Sequence, residues 1–284
     1  MPETRVAIIT GGASGIGLAT AIALGKRNDG WEIHALDYNP AAAKAVEDVN
    51  GGIFHQVDVT DYAALGTVFR DIFRRHRRLD FVYANAGIAE IPDEFFETSP
   101  AAPTSDEPPA LPPNTRRCID ICLTAATTTA YLAQHYFRLS PASTRGNRAL
   151  VFTASCGGIY ACHSSPVYAA AKHAVVGLMR SLDTHMWRRD GIRSNAVLPG
   201  TVRTNLLTST LWKQFPDDYF TPVSSIVEAV LIFVDGKDPK RKPDLAVMRG
   251  QAIECSGKDL FYRDQHPFAD ESMRIIMSAT DTGE

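Results

Sequence analysis

Thr10-Gly11-Gly12-Ala13-Ser14-Gly15-Ile16-Gly17 decides the fold of this chain, because of what stands on either side of it. The run before it, residues 5–10, is apolar and β-branched enough for a buried strand; the run from Gly15 to about residue 28 has helical spacing. Glycines between a strand and a helix permit a tight turn and let a pyrophosphate approach the backbone. The helix that follows then offers its first N–H groups and its positive dipole end to that anion. A lone glycine string would be weak evidence, but a strand before it and a helix after it are the context the fingerprint requires.

Working outward, the same alternation continues. Strands are predicted at 31–36, 53–57 and 81–84, separated by an alanine-rich helix through about residue 49 and a helix over 61–75 that ends in a basic run. Residues 90–114 break the rhythm, being acidic and carrying Pro92, Pro100, Pro103, Pro108, Pro109, Pro112 and Pro113, so they read as a surface insertion. The pattern resumes with one long helix over 115–137 and a strand over 149–154. A helix reaching about residue 189 and a strand over 192–198 come next. Residues 201–222 are irregular, 224–235 helical, a strand lies near 246–255, and 258–284 form a tail. The expectation is one α/β domain over 1–284. It is a doubly wound Rossmann-type parallel sheet of about seven strands with helices on both faces.

Two features carry chemistry. Tyr168 and Lys172 stand four apart on a helix and so on one face. An ammonium beside a phenol favours the phenolate, which would bring the tyrosine pKa down from about 10 toward the working pH and make it a usable acid and base. Asp37, at the end of the second strand, can accept both hydroxyls of an adenosine ribose and would repel a 2′-phosphate. Ser14 precedes Gly15, and Tyr38 and Asn39 follow Asp37, so no cation stands where a 2′-phosphate would need one. NAD is therefore favoured over NADP.

Composition narrows the class. Apolar residues make up 45% of 284, charged residues 21%, and the net charge is −3, with no basic block that would suggest nucleic acid or a membrane surface. No apolar run has the length of a membrane span, and no signal segment is read at the start, so a cytoplasmic protein is expected. Cys118, Cys122, Cys156, Cys162 and Cys255 form no set at metal-ligand spacing, so they are expected as free thiols, with no metal.

Together these residues resemble the short-chain dehydrogenase/reductase family in its single-domain form, over about residues 5–257. The resemblance rests on five motifs in order: the loop Thr10 to Gly17, Asp58-Val59, Asn85-Ala86-Gly87, Ser155 thirteen residues before Tyr168, and Asn195 with Pro199-Gly200-Thr201-Val202-Arg203-Thr204. Within the family the chain is similar to fungal secondary-metabolism members related to 15-hydroxyprostaglandin dehydrogenase, through the proline-rich insertion and Tyr131 to Phe137. The resemblance implies that Ser155, Tyr168 and Lys172 are catalytic. It implies a cofactor site of Gly11, Ser14, Gly15, Ile16, Gly17, Asp37, Asp58, Val59, Asn85, Ala86, Gly87, Tyr168, Lys172, Pro199, Gly200, Val202 and Thr204. One departure stands out: Cys122 occupies the place of an asparagine that, in the family, helps hold a water linking the lysine to solvent.

The stretch over 201–222 occupies the family's substrate-loop position and is rich in Leu, Trp and Phe, which suits a lid over an apolar substrate. Ser155, Tyr160, His163, Leu206 and Trp212 are the expected substrate contacts. The implied reaction is oxidation of a secondary alcohol, or reduction of the ketone, in an apolar small molecule such as a terpenoid or polyketide. The alternatives are an NADPH-dependent ketoreductase and a nucleotide-binding regulator that has lost catalysis. Family habit implies a homodimer or homotetramer.

Overall fold

The computed structural model describes residues 4–92, 94–96, 106–206, 212–213 and 215–281. Strand residues that alternate in pointing direction account for its layers. On β1 (Arg5–Thr10), Val6 and Ile8 pack on one side with Phe69, Leu132, Phe137 and Val175. Ala7 and Ile9 pack on the other with Leu24, Ile226 and Phe233. A period of two sends successive side chains to opposite faces, so a strand apolar on both phases demands a helix layer on each side. Each fully buried Phe or Leu of these layers contributes about 1.5–3 kcal/mol.

The strands β2 (Trp31–Asp37), β3 (Gly52–Gln56), β4 (Phe81–Ala84), β5 (Arg148–Thr153), β6 (Ile192–Pro199), β7 (Ala252–Ser256) and β8 (Asp259–Tyr262) complete one sheet in the order β3-β2-β1-β4-β5-β6-β7-β8. Neighbours from β3 through β7 are parallel. The helices are α1 (Gly15–Gly25), α2 (Ala43–Glu47), α3 (Tyr62–His76), α4 (Pro113–Ile119), α5 (Ala125–Leu139), α6 (Pro166–Asp190), α7 (Val223–Asp235) and α8 (Glu271–Ser278). The strand order reverses between β1 and β4, and a ligand crevice opens beyond the carboxyl ends of the strands at such a point. Among the described residues, no helix is long and apolar enough to cross a membrane.

The expected sheet of about seven strands is present, and two details differ. The sheet has eight strands, because β8 rises from the expected tail and pairs antiparallel with β7. Its turn carries Gly257 at φ 56°, the positive angle that a two-residue hairpin with a leading glycine needs. The long helix expected over 115–137 is α4 and α5 joined by a π-helical turn, Asp120–Thr124. Of the expected lid, residues 207–211 and 214 lie outside the described residues, as do 93 and 97–105 of the proline-rich insertion.

Candidate active site

A cleft of about 590 Å³ runs along the carboxyl ends of β1, β2 and β4. Its floor is the loop between β1 and α1, shaped by atoms that are missing. A Cβ on Gly17 would lie 2.2 Å from the Gly11 carbonyl oxygen, and one on Gly11, at φ 61°, would lie 2.9 Å from the Ala86 Cα. The loop is tied down from two sides. Asp37 Oδ2 accepts from Ala13 N at 3.2 Å, and the Asn85 amide donates to the Thr10 and Gly11 carbonyls, both at 3.1 Å. Ser14 is the extended N-cap of α1 and makes no side-chain capping bond among the described residues. The first-turn amides, which no helix satisfies internally, therefore lie free beside the cleft. These features fit a dinucleotide: a glycine cradle and helix N-terminus for the pyrophosphate, and an acid at the end of β2 for a ribose.

At the other end of the cleft stand the residues expected to transfer the proton. The helix α6 begins with Pro166 at its first position, and its Tyr168 amide donates to Glu90 Oε2 at 2.7 Å. Glu90 is buried, so a carboxylate from the proline-rich insertion replaces the missing cap and complements the helix dipole. Lys172 is 3% exposed and its Nζ donates to the Thr153 carbonyl at 2.8 Å, 5.6 Å from the Tyr168 ring centroid. The Thr153 hydroxyl bridges Tyr83 Oη at 2.7 Å and Asn85 Oδ1 at 2.9 Å. Thr153 thus joins the two ends, its hydroxyl bonded to the Asn85 that holds the Gly11 carbonyl and its own carbonyl bonded to the lysine.

Burial pushes the Tyr168 phenol up from its ordinary value, and the hydrogen bond from Ser155, which favours the phenolate, only partly opposes it. Lys172 shares the helix face, but its ammonium is engaged by a carbonyl rather than by the phenol oxygen. The buried Ser155, whose Oγ also accepts from Gly157 N at 3.1 Å, is the direct polar neighbour of the reactive hydroxyl.

The π-helical turn places Cys122 at the back of this set. Its thiol donates to the Ile88 carbonyl at 3.2 Å and accepts from Ile88 N at 3.4 Å, and it is 1% exposed. A hydrogen bond from Cys118 lowers the Cys122 pKa, and the Lys172 ammonium acts in the same direction, while Cys118 is pushed up. The cysteine therefore does one thing an asparagine there would do, bridging both polar groups of one residue, through a softer and more acidic atom.

Of the predicted cofactor residues, Gly11, Ser14, Gly15, Ile16, Asp37, Asp58, Val59, Asn85, Ala86, Gly87, Tyr168, Lys172 and Thr204 line the cleft. Gly17 and Val202 are buried behind it, Gly200 donates its N–H to the Cys255 carbonyl, and Pro199 ends β6. Of the predicted substrate contacts, Leu206 lines the cleft and the others do not. Tyr160 instead donates to Glu254 at 3.1 Å and accepts from Arg263 at 3.0 Å, and His163 is exposed. Trp212 packs with Phe215 and Phe220 and donates to the Thr204 carbonyl at 3.1 Å. Sequence reasoning missed Glu90, Thr153, Arg116 and Arg117. Only the two arginines, adjacent cations in the last turn of α4, left a readable signal.

The sequence profile of the short chain dehydrogenase family matches residues 5–214. A short-chain dehydrogenase/reductase of Penicillium rubens, prx7, is 43% identical over 275 residues, covering 93% of this chain and 96% of its own. The cis-4-hydroxycyclohexanecarboxylate dehydrogenase of Sinomonas cyclohexanicum is 34% identical over 72% of this chain and 75% of its own. In the solved structures, the 3-ketoacyl-(acyl-carrier-protein) reductase of Brucella melitensis, complexed with NADH, shares the fold with a TM-score of 0.73. It is 19% identical over 90% of this chain and 98% of its own. With a glycine loop between β1 and α1, a serine and a lysine around a half-buried tyrosine, and these likenesses over most of its length, the chain belongs to the short-chain dehydrogenase/reductase family of oxidoreductases.

Proposed function

We propose that the chain is an NAD-dependent dehydrogenase/reductase acting on the secondary alcohol, or the ketone, of an apolar small molecule of the terpenoid or polyketide kind. The observation that carries this reading is the junction of Ser155, Tyr168 and Lys172 with the glycine cradle through Asn85 and Thr153. When bound, the nicotinamide exchanges a hydride with the carbinol carbon, and the chain manages the proton. Tyr168 gives its proton to the ketone oxygen in reduction and removes the alcohol proton in oxidation. Ser155 donates to the same oxygen and steadies the charge that develops there. Lys172 keeps its ammonium on the same helix face as the phenol, held there by the Thr153 carbonyl.

The substrate class draws on Leu206 in the cleft wall and on the Trp212, Phe215 and Phe220 cluster behind it. It agrees with relatives named for a ring alcohol and for fungal short-chain reductases. Homodimers or homotetramers through α5 and α6 fit the 65% exposure of Tyr131 on α5.

A second reading, NADPH-dependent ketone reduction, is favoured by Arg116 and Arg117, which line the cleft opposite the cradle. Asp37, whose Oδ1 accepts from Asn39 N at 3.1 Å, argues for NAD because its charge opposes a 2′-phosphate. The test is a panel of apolar cyclic and polyketide secondary alcohols with each cofactor, followed at the nicotinamide absorbance band, on the wild type and on Asp37→Ala. NAD turnover that weakens in the variant while NADP turnover rises supports the first reading. Wild-type turnover with NADP alone would replace it with the second, and silence with both cofactors would leave a binding protein.

A further inference from the structure

Three of the eight histidines meet outside the cleft lining, where α3 packs on β2 and β3. Glu32 and His34 share one face of β2, His55 lies on the neighbouring β3, and His76 is the last residue of α3. Glu32 Oε1, His34 Nε2 and His76 Nε2 all lie within 4.8 Å of one another. The carboxylate oxygen is 2.9 Å from His76 Nε2 and 3.4 Å from His34 Nε2.

These three atoms are buried, yet none makes a hydrogen bond of acceptable geometry among the described residues. Buried polar atoms left so are uncommon and destabilising, and three facing one point is a stronger anomaly than one. His34 is 1% exposed, with no water-facing side to satisfy its ring nitrogens. Its other nitrogen, Nδ1, lies 2.9 Å from His55 Nε2. With the proton on Nδ1 and donated to His55, the Nε2 lone pair of His34 is aimed at Glu32 and His76. An outer partner that sets the tautomer in this way is the usual support of a metal-bound histidine.

We propose that Glu32, His34 and His76 form a binding site for a zinc-class divalent cation, clipping the end of α3 to the β2–β3 edge of the sheet. Two imidazole nitrogens and one carboxylate oxygen are a donor set of zinc and its first-row neighbours, not of magnesium or calcium. At metal–ligand lengths of about 2.0–2.1 Å, the 2.9 and 3.4 Å edges subtend angles of about 90° and about 110° at a common centre, the range of four- and five-coordinate zinc. The exposures of the three side chains, 2% for His34, 12% for His76 and 20% for Glu32, keep Glu32 and His76 in partial contact with solvent. Arg75, whose Nη2 is 3.5 Å from Glu32 Oε1, is the competing cation; it is 63% exposed and free to swing into solvent. The cysteine spacing pointed to no metal. These ligands lie in separate elements and meet only through the packing of α3 on the sheet, and the site is independent of hydride transfer.

The test uses the full-length, tag-free protein stripped with EDTA. Titration with zinc chloride is expected to show one equivalent bound per chain and a rise in the melting temperature. Glu32→Gln and His76→Gln should each weaken binding about tenfold or more, while Arg75→Ala tightens it. Cobalt(II) added to the unmutated chain should develop a visible band that saturates at one equivalent and is discharged by zinc, a readout that does not depend on any variant folding. Zinc and cobalt left unbound by the wild type would overturn the proposal. Binding of equal strength in the wild type and in folded Glu32→Gln and His76→Gln would also overturn it.

Discussion

The glycine loop and the Ser155/Tyr168/Lys172 centre lie at two ends of one cleft and are built by opposite means. The loop end is made of backbone and of missing side chains: a methyl group at Gly17 would overlap the Gly11 carbonyl at 2.2 Å, and nothing in the cradle needs to change protonation. The other end, the proposed catalytic one, is made of buried and half-buried side chains whose charge matters. Burial raises the Tyr168 phenol, Ser155 opposes it, and Lys172 is turned to a carbonyl. The difference teaches that steric errors should break the first end and electrostatic errors the second, each leaving the other largely intact.

Tyr168→Phe strikes the second end hardest. It removes the proton carrier and no contact of the cradle, so turnover should fall by about 10²–10⁴. Cofactor affinity, read by fluorescence titration, should stay within about twofold, which is about 0.4 kcal/mol. Loss of cofactor binding in parallel would break the comparison. Gly17→Ala is the converse. Asn85 holds the Gly11 carbonyl in place, so the added methyl has no room and should destabilise the fold by about 1–3 kcal/mol. Cofactor affinity should fall roughly tenfold, about 1.4 kcal/mol, with kcat at saturation nearly unchanged. A kcat that collapsed with Kd unmoved would contradict it.

The pH dependence sharpens the same contrast. A raised phenol pKa leaves Tyr168 protonated at neutral pH, ready to act as an acid and scarce as a base. For oxidation, kcat/KM should therefore rise up to about tenfold per pH unit into the alkaline range. For reduction it should stay flat until the same group ionises. Cofactor affinity at the loop end should not follow that curve; a matching slope there would show that the two ends titrate together. The smallest effect is expected at Cys122. An asparagine can repeat both bonds to Ile88 without the charge that Lys172 and Cys118 favour on the thiol. Cys122→Asn should leave cofactor binding alone and change kcat less than about fivefold, since exchanging one hydrogen-bonding partner of a network for another is worth about 1 kcal/mol. Its pH profile should nonetheless move, and an unmoved profile would separate Cys122 from proton transfer.

How much was legible follows from how far apart the partners lie in the chain. The glycine loop, Asp37 and the Tyr168/Lys172 pair are short-range patterns, readable because a turn, a strand end and a helix face each impose a local spacing. Glu90 was not readable as the cap of α6, since an acid in a proline-rich stretch has no spacing relation to Tyr168, 78 positions on. Tyr160 was placed by its position between Ser155 and Tyr168, but Glu254 and Arg263 from the β7–β8 edge draw its hydroxyl away. The eighth strand had a local signal, a glycine turn between Ser256 and Asp259, which the length of the tail obscured.

By itself the sequence determined the doubly wound sheet, the phosphate cradle and the pairing of a tyrosine with a lysine. Each follows from a period or a turn that a few neighbouring residues enforce. Only the tertiary structure decided which charge the tyrosine feels, which carboxylate caps its helix, and that Glu32, His34 and His76 face one point. Burial and long-range contact set those, because the cost of removing a polar group from water depends on everything packed around it and not on its neighbours in the chain.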